Sequence, residues 1–166
     1  MRENFLTKAL PFTLDREGGY TVDSGGETWR GISTKQYPHL RKRIIARSLT
    51  DEEIANIYLA DYWLPAGCDT LPWPLDCVVF DCAVNLGLDD VEVMLPEVPK
   101  IVDHLTDLFS NLGSAYGESG LFNMARPYLE ATVYVALRIE KHNVKTQKES
   151  RRGCVNRCYL ALKAFL

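Results

Sequence analysis

Glu17 is followed directly by Gly18-Gly19-Tyr20, and two residues later comes Asp23-Ser24-Gly25-Gly26-Glu27-Thr28-Trp29-Arg30-Gly31-Ile32. This spacing sets one carboxylate at the C-terminal end of a helix. It faces a glycine-rich loop that offers a second carboxylate, Asp23, and a hydroxyl, Thr28. Glycosidic hydrolysis uses that inventory: one acid protonates the leaving oxygen, and a second polar group activates or holds water across the sugar ring. The partial negative charge of a helix C-terminus disfavours a carboxylate, as do apolar neighbours such as Leu14, so Glu17 suits an acid that must keep its proton. Taken alone, Glu17-Gly18-Gly19-Tyr20 equally describes a helix ending before a glycine cap.

Other residues carry two readings each. Asp23 is either the partner carboxylate or the start of an Asx turn onto Ser24-Gly25-Gly26. Asp81 and Asn85, four residues apart, share one helix face and either line a cleft or form a buried polar network. Tyr20 and Trp29, placed in the loop, offer flat apolar surfaces to sugar rings, while Tyr37 and Trp63 fit a core better.

With its loop included, the string EGGYTVDSGGETWRGIS resembles the signature of glycoside hydrolase family 108, the muramidases found as phage endolysins and as bacterial secretion-associated hydrolases. Further similar strings follow in order: Tyr62-Trp63, then Phe80-Asp81-Cys82-Ala83-Val84-Asn85-Leu86-Gly87, and lastly Arg152-Gly153-Cys154-Val155-Asn156-Arg157. The resemblance implies a lysozyme-like fold, cleavage of the β-1,4 bond between N-acetylmuramic acid and N-acetylglucosamine, and Glu17 as the catalytic acid. Thr28 resembles the threonine that, in the wider group of phage-type lysozymes, sits beneath the sugar and orders the attacking water, and a plain turn hydroxyl stays open beside that role. For Asn85 the family resemblance favours a place on the cleft wall. Two features depart from the family's pattern. Only Thr21 to Ser24 separate Tyr20 from Gly25, a shortened loop, and Cys154 stands where the family usually has tryptophan.

The elements that must position these residues are helical. Asn4 caps a first helix through Phe5, Leu6, Ala9 and Leu10, kinked by Pro11 and stopped at Gly18-Gly19. Tyr20 to Ile32 reads as a loop or short hairpin, the one β segment of the chain. Thr50 with Glu53 forms a capping box for a helix from Asp51 to about Tyr62. Leu75, Val78, Val79, Cys82 and Leu86 mark a central helix ending at Gly87. Asp89 or Asp90 caps a short helix interrupted by Pro96 and Pro99, and Asn111 to Gly120 is a loop. Pro127 opens a helix to about His142, apolar nearly all round, and a polar linker from Asn143 to Ser150 precedes the last helix. The expectation is an all-α, lysozyme-like fold with a catalytic region at residues 1–87 and, at 88–166, a helical region resembling the family's peptidoglycan-binding part, packed as one unit.

Composition narrows the function classes. In 166 residues, 46% hydrophobic and 25% charged, the balance is that of an ordinary globular domain. The net charge of −3 and a single short basic cluster, Arg41, Lys42, Arg43 and Arg47, speak against nucleic acid as partner. Apolar stretches are too short and too interrupted for a membrane span, and the N-terminal residues lack the pattern of a signal peptide. Five cysteines without paired spacing, and three histidines far apart, read as free thiols with no metal site and no cofactor. The resemblance implies the peptidoglycan glycan strand as partner, met by a monomer that stays cytoplasmic until a holin-like helper pore releases it. The rival is a non-catalytic glycan-binding or secretion-assisting protein of the same fold.

Overall fold

Pro11 shapes the N-terminal helical run, which is composed of α1 (Arg2–Asn4), a π-helical turn (Phe5–Ala9) and α2 (Leu10–Glu17) in the computed structural model of the chain. Proline brings no N–H and its ring crowds the carbonyl four residues back. The wider π turn just before it, closed by the Leu10 N–H on the Phe5 carbonyl, lets the helix continue through that crowding. Asn4 is not a cap, contrary to expectation: it lies inside the helical run, and its amide donates to Asp76 Oδ2 at 2.8 Å. The structure describes residues 2–23, 26–113, 126–145 and 148–165, with side chains at 3–22, 26–107, 126–141, 156–161 and 163–165.

Gly18, at φ +74°, turns the chain out of α2 into an antiparallel sheet of three strands, β1 (Tyr20–Asp23), β2 (Gly26–Trp29) and β3 (Ile32–Ser33). The register pairs Tyr20 with Trp29, Thr21 with Thr28 and Asp23 with Gly26, then Thr28 with Ser33 and Trp29 with Ile32. Side chains alternate along a strand and directly paired residues share a face. Thr21, Thr28 and Ser33 therefore form one row, and Tyr20, Trp29 and the buried Ile32 lie on the opposite face. The β2–β3 turn holds two residues, Arg30 and Gly31, both at positive φ as a tight hairpin of this twist requires.

After α3 (Arg41–Ile45), the capping box forms as the sequence indicates. The Glu53 N–H donates to Thr50 Oγ1 at 3.2 Å and the Thr50 N–H to Glu53 Oε2 at 2.8 Å, starting α4 (Asp51–Tyr58), which runs on into a second π turn (Leu59–Trp63). The former basic cluster is a paired surface: Arg43 holds Glu53, Arg41 holds Glu27, and Arg47 lies over the Tyr20 ring.

The central helix is α5 (Leu75–Leu86), buried without interruption from Leu75 to Ala83. Around it pack α6 (Leu88–Met94), α8 (Arg126–Lys145), α9 (Lys148–Phe165) and the first π turn, with α7 (Glu97–Gly113) against α8. Phe5, Trp63 and Phe80 meet at ring distances of 5.2 to 5.7 Å, and Phe165 near the end of α9 sits 4.7 Å from Phe12 of α2. The helical part beyond residue 87 is thus packed onto the region that carries Glu17.

Three further local expectations differ. Gly87 precedes α6 and both Asp89 and Asp90 fall in its first turn, where Asp90 is buried against Lys141 Nζ at 2.8 Å. Of the loop expected at Asn111 to Gly120, α7 takes residues up to Gly113, and 114–125 lie outside the described residues. Most of the linker expected at Asn143 to Ser150 is helix, because that polar stretch holds neither glycine nor proline to stop it.

Candidate active site

Glu17 is the last residue of α2, and its side chain is 22% exposed. From one side the β2–β3 turn rests against it. A Cβ on Gly31 would lie 3.1 Å from Glu17 Cγ, 3.2 Å from Glu17 Cβ and 2.1 Å from the Tyr58 hydroxyl, so only glycine permits this approach. The Tyr58 hydroxyl donates to the Arg30 carbonyl at 3.0 Å, and the Arg30 guanidinium pairs with Asp51. Burial, and then the nearby Glu17 charge, push the Tyr58 phenol above its ordinary range, which keeps it a neutral donor.

From the other side Glu17 meets a network of charges. Arg157 of α9 donates from Nη1 to Glu17 Oε1 at 2.8 Å. The same guanidinium holds Asp81 through Nη2 at 2.7 Å and through Nε at 3.0 and 3.2 Å. Asp81 is fully buried and also accepts from Arg138 Nη1 at 2.7 Å and from the Thr13 hydroxyl at 3.3 Å. Arg138, fully buried in α8, reaches Asn85 Oδ1 through Nη2 at 3.3 Å. Burial alone would favour neutral Asp81, but Arg138 and then Arg157 hold its carboxyl below the usual carboxylate range. Burial likewise works against the two guanidinium charges, and the carboxylates outweigh it. Two guanidiniums and two carboxylates leave the cluster neutral when Glu17 is ionised.

The sequence-derived candidates fall into distinct places. Asp81 takes the buried-network alternative and has no access to a cleft: a carboxylate without solvent needs both arginines as partners. Asn85, at the solvent-reaching end of α5, joins that network through Arg138. Thr28 is partly exposed in the middle of the hydroxyl row, between Thr21 and Ser33. Asp23 ends β1 opposite Gly26, and its side chain lies outside the described residues. Tyr20 is partly buried under the Arg47 guanidinium, 5.2 Å from its ring centre. Trp29 packs against the core, so it acts as a support behind the sheet more than as an open platform.

Sequence reading missed Arg138, Arg157, Tyr58 and Gly31 as members of this site. The available signal was an arginine in the apolar helix from Leu129 to Ile139 set against an aspartate in the apolar run from Leu75 to Leu86. A buried charge of each sign implies a pair. Among the described residues no group of histidine, cysteine, aspartate and glutamate is arranged to hold a metal ion. Cys68, Cys77 and Cys82 are buried free thiols, Cys158 is buried, and the side chain of Cys154 lies outside the described residues.

A family model described as glycosyl hydrolase 108 matches residues 10–87, from the first residue of α2 to the glycine that closes α5. That segment contains Glu17, the whole sheet and Asp81, and it stops before the helices that carry Arg138 and Arg157. No curated protein and no solved structure matches the chain.

Proposed function

We propose that this chain, which belongs to glycoside hydrolase family 108 through residues 10–87, hydrolyses the β-1,4 bond between N-acetylmuramic acid and N-acetylglucosamine in peptidoglycan, with Glu17 as general acid. The observation that carries this reading is the placement of Glu17. Its carboxyl reaches solvent at a helix end, while Gly31 and Arg157 brace it from two sides. An acid that must meet a sugar oxygen in one orientation benefits from such bracing, because misplacement of a reacting group is costly in rate.

The row of Thr21, Thr28 and Ser33 crosses three strands, and with neighbouring strands about 4.8 Å apart it spans about 10 Å. Hydroxyls in a row suit a polar sugar chain, and Thr28 in its middle is our choice for the group that holds the attacking water. Asp23, two residues beyond Thr21, is the alternative.

The test is digestion of purified peptidoglycan with mass analysis of the released ends. Cleavage after N-acetylmuramic acid leaves that sugar at the reducing end. Glu17→Gln should lose at least about 100-fold in rate at unchanged melting temperature, since an amide keeps the shape without donating the proton. Release of N-acetylglucosamine reducing ends would reassign the bond. A wild-type chain that binds the strands without cutting them would favour the non-catalytic rival.

A further inference from the structure

We propose that Arg157, reaching Glu17 from the last helix, is a positioning residue for the acid: it fixes Oε1 and stabilises the carboxylate that remains once the proton has left. The inference rests on Glu17 being the acid. It goes beyond that reading by giving the helices outside residues 10–87 a part in the chemistry.

The geometry points to an anchored cation. Arg157 spends Nε and Nη2 on the buried Asp81 and has Nη1 left to reach Oε1 of Glu17 at 2.8 Å. Asp81 in turn is fixed by Arg138 and Thr13, so the guanidinium is aimed before any substrate arrives. With Oε1 occupied by a donor, Oε2 is the oxygen that carries the proton. As the C1–O bond breaks, its electron pair stays on the leaving oxygen, which takes the proton from Oε2. Water supplies the hydroxyl to C1 and its second proton passes to solvent. Glu17 changes from neutral to negative in this step, and a fixed cation beside it lowers the barrier. Arg157 therefore acts on the bond-breaking step and not on the binding of the strand.

Arg157→Gln is the direct probe, because it leaves Asp81 paired with Arg138 and leaves the solvent-reaching Glu17 to water. Initial peptidoglycan-clearing rates are measured against substrate concentration for wild type, Arg157→Gln, Arg157→Lys and Glu17→Gln, with a thermal melt of each. Arg157→Gln should lose about 10- to 100-fold in apparent kcat, the worth of one hydrogen bond to a charged group. Apparent KM should stay at the wild-type value, because Arg157 holds the acid and not the sugar. Arg157→Lys keeps the charge without the fork, and should show a smaller loss of kcat.

A folded Arg157→Gln with wild-type kcat, or with a loss confined to KM, overturns the inference. If Arg157→Gln does not fold, Arg157→Lys decides: a reduced rate at wild-type melting temperature supports the proposal, and an undiminished rate overturns it. Failure of both variants to fold makes Arg157 a structural residue and also overturns it. An inactive Glu17→Gln beside a wild-type-like Arg157→Gln sinks this inference alone, whereas an active Glu17→Gln sinks the acid assignment and the inference with it.

Discussion

From the N-terminal half of the chain Glu17 is placed by backbone shape, and from the C-terminal helices by charge. Gly18 turns the chain at the end of α2 with a positive φ, and Gly31 brings the β2–β3 turn onto Glu17, where close approach does the positioning. The helices α8 and α9 contribute through two long side chains, Arg138 and Arg157, the latter 140 residues from the carboxylate it holds. The first kind of contact is short in sequence and intolerant of added volume. The second spans the chain and is intolerant of lost charge. Packing strain is relieved by small shifts, but a buried ion without its partner has no such outlet.

The comparison breaks most readily at Asp81. Asp81→Leu removes the carboxylate shared by both arginines and leaves Arg138 fully buried with its main counter-charge gone. A loss of about 3–5 kcal/mol is expected, read from urea midpoints, with α8 and α9 affected first. Because Asp81 is held below its ordinary range, its contribution is complete above the unfolded value of about 3.9 and fades as pH falls below it. Wild-type stability in the variant would mean that charge does not fasten the C-terminal helices to the site.

Gly31→Ala probes the other kind of contact and should cost less. The added methyl meets the Tyr58 hydroxyl at 2.1 Å and sits at φ +79°, so a penalty of about 1–3 kcal/mol is expected with a fall in clearing rate as Glu17 is displaced. Adding Tyr58→Phe deletes the obstructing oxygen. The pair should then couple in a double-mutant cycle, the double variant being more stable than the sum of single effects predicts. Strict additivity would show that the turn does not press on Tyr58.

These two kinds of contact also differ in how far the sequence discloses them. Glu17, the glycine-rich hairpin, the Thr50 capping box and the apolar face of α5 are local patterns whose physics lies within a few residues of each other. Asp81 was legible only as one of two options, since spacing of i and i+4 with Asn85 gives a face and not what covers it. Arg157 belongs to the string that resembles the family's last motif, yet nothing near it in sequence says that it turns toward Glu17. Arg138 was hidden for a related reason: one arginine in an apolar helix is as compatible with a solvent-reaching position as with burial, until a buried aspartate is found opposite. The stretch ahead of α9 reads as a linker only when polarity stands for irregularity, and it holds no breaker residue to end a helix.

The smallest effect is expected at Glu53, which belongs to the N-terminal side and has no part in either bracing of Glu17. Its carboxylate accepts from both arms of Arg43 at 2.5 and 2.6 Å and from the Thr50 N–H at 2.8 Å. The Arg43 hydrogen bonds first, and the Thr50 backbone second, bring it down to about 2. A depressed carboxyl contributes stability above its unfolded value of about 4.3 and loses it as pH falls toward the folded value. Glu53→Gln should therefore flatten the decline of melting temperature between about pH 5 and pH 2, while clearing rates near neutral pH stay close to wild type. The pair is open to solvent, so salt should weaken its effect, unlike that of the buried Asp81 cluster. Thermal melts at low and high ionic strength for Glu53→Gln and Asp81→Leu test this directly. Equal salt sensitivity in the two would erase the distinction between the surface pair that starts α4 and the buried charges that reach Glu17.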